Sequence, residues 1–301
     1  MTIKSWKRRG EWLELMPGKV VTGSPDRQLA AEQWLLTELS FPEKLFRQLK
    51  ANHGIQLAGD RLRLALFASQ PIDVEPRWAE IEVLYEDDFC LVVHKPAGMK
   101  LHPDGTRADL AITLDHAVAS YYEINGIDTS VRHVHRLDED TTGPVLYAKN
   151  AFALAKLDEA MRRKEIGRQY VAIAEGQVSP ECSKIDAPIG KDRHHKQRRR
   201  VSESGQEAVT HVEIVEVWER ATLVRLILDT GRTHQIRVHL SYAGHPLIGD
   251  QLYGGRSDAI GRQALHGEVL TFNHPLTGAL IEVQDPWPSD FEQLVQRQRT
   301  T

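Results

Sequence analysis

RHVHRLDEDTTGPVLYAK, residues 132–149, is the densest run of chemistry in the chain. From Arg132 to Thr142 it is charged and hydroxyl-rich, and after Gly143 it becomes the apolar run Val145-Leu-Tyr-Ala. A polar loop feeding an apolar strand puts Asp138 on a rim held by a rigid element, a common place for a catalytic group. Arg136, two residues earlier, points the same way if the stretch is extended. Read on its own, the stretch is equally an ordinary surface loop with a structural aspartate turn.

The neighbouring segments continue the β pattern. Ile81–Leu84, Phe89–His94, Arg168–Glu175, His211–Val217, Ala221–Leu228, His234–Leu240 and Glu268–Phe272 each read as a strand, by alternation or as a short apolar run. Asn150–Lys164 has a helical stripe at Leu154, Leu157 and Met161. The expected fold class is α+β, a mostly antiparallel mixed β-sheet core decorated with helices. In TGRTHQIRVH (230–239), Gly231 permits a tight turn, and a strand from His234 puts Gln235, Arg237 and His239 on one face. An arginine on such a face pairs with a carboxylate or a phosphate, or is simply solvated.

Residues 1–70 read as a small α/β unit. Ser24-Pro25 opens a helix with Leu29, Trp34, Leu35 and Leu39 as its apolar stripe, and Ser40-Phe-Pro-Glu43 reads as the capping box of a second. A hairpin turns at Ala58-Gly59-Asp60. Ala68–Pro76 holds two prolines and no helical period, so 71–80 is expected to link this unit to a domain over 81–301.

Composition narrows the classes. With 301 residues, 41% hydrophobic and 27% charged, the chain is an ordinary globular protein. Cys90 and Cys182 alone exclude a disulfide framework and a four-cysteine zinc site. No run approaches the ~18 apolar residues of a membrane span. The basic N-terminus MTIKSWKRRGEW leads into no apolar segment, so no signal peptide and a cytoplasmic location are expected. The net charge of −4 hides blocks, with residues 151–200 at +5. Polyanion binding depends on local cationic surface, so RNA is not excluded.

The motifs resemble the RluA family of RNA pseudouridine synthases. His135-Arg-Leu-Asp138 with Asp140-Thr-Thr-Gly143 is similar to that family's HRLDxxTSG signature. Tyr85-Glu-Asp-Asp88, Val93-His-Lys-Pro-Ala-Gly98 and His102-Pro103 resemble its opening motif, and Arg168-Gln-Tyr170 its KxY strand. Thr230 to His239, Pro246-Leu-Ile-Gly-Asp250, Tyr253-Gly254, Leu265-His266 and His274-Pro275 follow in the family's order. The departures are His94 for Asn, Thr142 for Ser, Pro144 for Leu and Arg168 for Lys; none removes a group the chemistry needs. The N-terminal unit resembles a degenerate S4 RNA-binding module, with Ala58 where Asn is usual.

The resemblance implies a pseudouridine synthase domain over 81–301 that isomerises uridines in structured ribosomal or transfer RNA, with base flipping. Asp138 becomes the essential carboxylate and Arg237 its cationic partner; Tyr170 becomes the active-site tyrosine. Leu265 lines the uracil pocket, Arg136 fills the space the base vacates, and His135 contacts substrate. No cofactor or metal is expected: there is no phosphate loop, dinucleotide fingerprint or HExxH motif, and no carboxylate or thiol near His194 and His195 has a suitable spacing for metal binding. Lys191–Arg200 reads as a loop or hairpin whose Arg193, Lys196, Arg198, Arg199 and Arg200 contact RNA phosphates, or as solvated surface. A monomer acting on RNA, with no membrane, is expected. Two rivals are an inactive RNA-binding protein on the same fold and a hydrolase using Asp138 with His135. Asp138, Tyr170 and Arg237 argue against the first; the lack of a nucleophile elbow or paired carboxylates argues against the second.

Overall fold

The structure, a computed structural model, describes residues 5–103, 111–256 and 259–300, so the first four residues of the basic N-terminal segment lie outside it. The chain begins with β1 (Trp6–Arg9) and β2 (Trp12–Leu15), followed by α1 (Lys19–Thr22), α2 (Arg27–Thr37) and α3 (Glu43–Ala51). β3 (Ile55–Ala58) and β4 (Arg61–Leu64) form the expected hairpin, turning on Gly59 at φ +66°. These strands make one antiparallel sheet in the order β1-β2-β4-β3. The first hairpin, β1–β2, carries no alternation long enough to be read from sequence.

Two helix starts differ from expectation. Asp26, not Ser24, caps α2, its carboxylate accepting the Leu29 N–H at 3.0 Å. Ser40 makes no cap for α3: it sits at φ +46°, and Pro42 holds the cap position. Leu29, expected in the buried stripe, is exposed, whereas Trp34, Leu35 and Leu39 are buried.

The rest of the chain adds β5 (Val83–Glu86), β6 (Cys90–Lys95), α4 (Leu114–Ile124), β7 (Gly143–Ala148), α5 (Ala151–Arg162) and β8 (Gly167–Glu175). Then come β9 (Lys184–Asp186), β10 (Ile189–Lys191), β11 (Arg199–Val201), β12 (Val209–Val217) and β13 (Ala221–Leu228). α6 (Gln235–Tyr242), β14 (Leu265–Asn273), β15 (Leu280–Gln284) and α7 (Ser289–Thr300) complete it. A six-stranded sheet runs β15-β14-β8-β13-β12-β9, a three-stranded one β5-β6-β7, and β10–β11 is a separate hairpin; every pairing between these strands is antiparallel. The six-stranded and three-stranded sheets meet where Thr142 bridges His266 in parallel, with Gly267 N–H donating to the Thr142 carbonyl at 2.8 Å. The fold is therefore α+β with mainly antiparallel sheets. No helix among the described residues is long and apolar enough to cross a membrane.

The strand expected at His234–Leu240 is helix α6 instead. The alternation misled because it did not separate core from solvent: Gln235 to Leu240 are all buried. The polar members meet partners inside. The Gln235 side chain donates to the Val209 carbonyl and accepts from Thr230 Oγ1, and the His239 ring lies between Thr210 Oγ1 and the Ala187 carbonyl. A helix buried on all sides has no amphipathic period to display.

The N-terminal sheet and helices share a core with the larger part of the chain. Leu13, Leu35 and Leu62 belong to the same apolar cluster as Phe89, Leu146 and Phe152. Phe41 stacks on Phe152 with ring centroids 5.1 Å apart, and Trp6 and Phe67 meet Phe89 edge-on at 5.4 and 5.5 Å. Residues 68–76 have no regular structure and are tied down along their path: Gln70 N–H donates to the Asp128 carbonyl, and Asp73 accepts from Val131 N–H and Arg132.

Candidate active site

The Asp138 loop is clamped from three sides before β7 begins. Thr141 N–H donates to the Asp138 carbonyl at 3.1 Å, closing a turn directly after the aspartate. Lys95, fully buried at the end of β6, donates to the carbonyls of Glu139 (2.6 Å), Pro96 and Met99 (2.8 Å each). Burial lowers its pKa from 10.5 to about 8, against the pull of Asp140, Asp138 and Glu139. Gln263 donates to Thr141 Oγ1 at 3.1 Å. Gly143 sits at φ +141°, and a Cβ there would lie 2.8 Å from the backbone of Gly267, so only glycine lets the two sheets close here.

Arg237 reaches the loop from α6. Its Nη1 donates to Asp138 Oδ2 at 3.2 Å, the contact expected between this pair. The tighter contact is elsewhere. Nε and Nη2 grip both oxygens of Asp250 at 2.7 and 2.8 Å, a bidentate pair with the Asp250 side chain wholly buried. Burial works against the guanidinium's charge, but Asp250 and then Asp138 outweigh it and raise its pKa. Asp250 closes the Pro246–Asp250 motif, yet nothing in the sequence marks it as the main partner of Arg237.

His234 and Tyr253 extend the cluster. His234 precedes α6 at φ +59°, with Nε2 3.9 Å from Asp138 Oδ2 and Nδ1 2.9 Å from the Tyr253 hydroxyl. That hydroxyl accepts the Arg199 N–H at 2.9 Å and shares a hydrogen bond with His234 Nδ1, while the other ring nitrogen faces Asp138. Burial lowers the pKa of His234, with Asp138 opposing. Reading 235–242 as a helix would have put His234 and Arg237 one turn apart and singled out both.

These groups open onto a cavity of about 420 Å³. Asp138, Arg237, Tyr170, Leu265, Arg136 and His135 all line it, so the structure gathers the candidates drawn from separate segments of the chain. Tyr170, on β8, is 6% exposed, and burial raises its pKa. Leu265 starts β14 opposite Ala172. Arg136 is exposed at the rim. His135 is buried; its Nε2 accepts the Leu146 N–H at 3.3 Å and its Nδ1 has no partner.

The five basic residues of 193–200 lie apart from the cavity, on and between β10 and β11. All are exposed except half-buried Arg199. The hairpin meets the site at Tyr253: Arg199 N–H donates to its hydroxyl, and the Arg198 guanidinium lies 5.5 Å over its ring.

Burial, reinforced by Arg168, lowers the pKa of His135 from 6.5 to about 3, so the folded protein holds it neutral. The stability tied to that neutral state is whole above pH 6.5 and drains as pH falls toward 3, because only the unfolded chain takes up the proton. One such proton is worth up to about 1.4 kcal/mol per pH unit. His135→Asn, which keeps an acceptor for Leu146, is expected to lessen the decline of the denaturation midpoint between pH 6.5 and 4. An unchanged slope would show that His135 does not titrate this way.

Known proteins resemble the chain over most of its length. Residues 89–242 match a family model described as RNA pseudouridylate synthase. Over 258 residues the chain is 45% identical to the uncharacterised RNA pseudouridine synthase YhcT of Bacillus subtilis, covering 82% of this chain and 84% of that one. It is 35% identical to ribosomal large subunit pseudouridine synthase D of Haemophilus ducreyi, covering 82% and 79%. Among solved structures, human RNA pseudouridylate synthase domain containing 1 superposes with a TM-score of 0.57 at 26% identity, covering 76% of this chain and 98% of that one.

Proposed function

Because the chain belongs to the RluA family of RNA pseudouridine synthases, enzymes that isomerise uridine within RNA, we propose that Asp138 is the essential carboxylate of that reaction and that its substrate is a structured ribosomal RNA. The observation that carries the first part is the Asp138–Arg237–Asp250 cluster opening onto a cavity walled by Tyr170 and Leu265. Asp138 must be ionised to act as nucleophile or base, and its Oδ2 accepts a hydrogen bond from the Arg237 guanidinium at 3.2 Å. Relatives named for the large ribosomal subunit support the choice of RNA.

In the reaction the N1–C1′ bond breaks, the uracil turns within the pocket, and C5 bonds to C1′. N1 gains a proton and C5 loses its hydrogen. The uridine must leave its stack to bring C1′ to Asp138, and the exposed Arg136 at the rim suits the space it vacates. Tyr170 supplies a ring for the uracil face and a hydroxyl for proton traffic. The basic hairpin 191–200 and the N-terminal unit, read as an S4-like module, add phosphate contacts.

The hydrogen released from C5 can be measured directly. Ribosomal RNA transcribed with uridine tritiated at C5 is expected to release tritium to water in proportion to pseudouridine formed. Transfer RNA made in the same way serves as the competing substrate. No release from either RNA would overturn the proposal, and release from transfer RNA alone would overturn the choice of RNA.

A further inference from the structure

The geometry points to a phosphate-binding subsite at the corner between α5 and β8, formed by Arg162, Lys164 and Arg168, which holds the RNA backbone beside the uridine in the cavity. This rests on reading the cavity as the uridine pocket. It adds a binding site separate from the basic hairpin and from the Asp138 cluster.

The first observation is a backbone that breaks its own local rule. α5 ends at Arg162 and closes with Glu165 N–H on the Ala160 carbonyl at 2.9 Å and Lys164 N–H on the Met161 carbonyl at 3.2 Å. That is the hydrogen-bond pattern of a Schellman ending, whose left-handed position favours glycine. Lys164 holds it instead, at φ +61°. The chain thus carries a long cationic side chain at a position where glycine is easier, and that side chain lines the cavity.

The second observation is how the nearby charges are paired. Arg162, Lys164 and Arg168 line the cavity, while their neighbour Arg163 does not. Arg163 is neutralised by Glu159 at 2.6 Å. The cavity-lining three are not held that way. Arg168 Nε is buried with no hydrogen-bond partner, and Arg162 has no side-chain partner among the described residues. Lys164 has only Glu207 at 3.9 Å, with both side chains more than half exposed. The two carboxylates lining the cavity are engaged elsewhere, Asp138 by Arg237 and Asp229 by His211 at 3.0 Å.

Three cations beside the cavity, two without a carboxylate and the third with only a long, exposed one while an adjacent arginine is tightly paired, fit an anion brought by the substrate. Phosphodiester oxygens match both a guanidinium fork and an ammonium point charge. Uridine in RNA carries such a group on each side, so the corner meets the phosphate flanking the flipped nucleotide.

The experiment compares the full-length wild type with Lys164→Gly, Arg162→Gln and, as control, Arg163→Gln. Each is measured for thermal midpoint, for binding of unmodified ribosomal RNA transcript across a salt series, and for tritium release. Lys164→Gly is expected to keep or raise the midpoint, since glycine suits the left-handed position, while weakening RNA binding several-fold. The slope of log K against log salt should fall by roughly 0.7 to 0.9 for each phosphate that is no longer neutralised. Arg162→Gln should weaken binding likewise, and Arg163→Gln should leave it at the wild-type value. If Lys164→Gly and Arg162→Gln bind as tightly as wild type, with the same salt slope, while tritium is released normally, the subsite is overturned and the enzyme reading stands. If Arg162→Gln lowers only the midpoint, the arginine merely complements the carbonyls at the helix end and its place in the subsite falls. If no protein releases tritium but both variants lose affinity and salt slope, the phosphate site stands and the uridine reading falls.

Discussion

Asp138→Asn is expected to cut isomerisation at saturating RNA by at least about 10³-fold, roughly 4 kcal/mol of lost transition-state stabilisation, while leaving the fold intact. The amide keeps the shape of the carboxyl but cannot be ionised, so it serves neither as nucleophile nor as base. The fold tolerates the change because Asp138 is the lesser partner of Arg237. One contact at 3.2 Å weakens, while the two at 2.7 and 2.8 Å to Asp250 keep the buried guanidinium neutralised. The turn after residue 138 also survives, since it uses the main-chain carbonyl and not the side chain. Tritium release and thermal denaturation on the same preparation separate the two effects. Activity within tenfold of wild type would remove Asp138 from the chemistry, and a collapsed midpoint would make it a structural aspartate.

Asp250→Asn is expected to do the reverse: it costs stability first and activity as a consequence. Its side chain is wholly buried and accepts two guanidinium hydrogen bonds; the amide can accept only one of them and turns an NH2 toward the other nitrogen, leaving the buried Arg237 charge with the more distant Asp138 as its remaining carboxylate. Breaking one side of a buried pair typically costs about 3–5 kcal/mol. For a protein of this size that is a fall of roughly 10 °C in the denaturation midpoint. Arg237 then turns its fork to Asp138, drawing away the carboxylate the reaction needs, so the rate falls even well below the new midpoint. Arg237→Lys makes the complementary comparison. It keeps a charge but loses the planar fork that spans two carboxylates, so it should damage the rate despite being nominally conservative. An Asp250→Asn protein with wild-type midpoint and rate would show that the pair contributes neither stability nor position.

The letters of the chain were enough to find the strands whose alternation or apolar run reflects real burial, and the α5 stripe at Leu154, Leu157 and Met161. They also marked Asp138, Tyr170 and Arg237, because each lies in a short motif whose residues are neighbours in the chain. Three features emerge only from packing. Gln235–Leu240 is helical although its letters alternate, because burial of all six residues removes the contrast from which a period is read. The principal partner of Arg237 is Asp250 and not Asp138, because the choice depends on which carboxylate the fold brings within 2.8 Å of α6, and no spacing along the chain encodes that distance. The N-terminal unit shares its core with the larger part of the chain, because Phe41, Trp6 and Phe67 are apolar in either case and only packing reveals that they lie against Phe152 and Phe89. Local patterns report which face of an element is apolar; which surface covers that face is settled by contacts far apart in sequence.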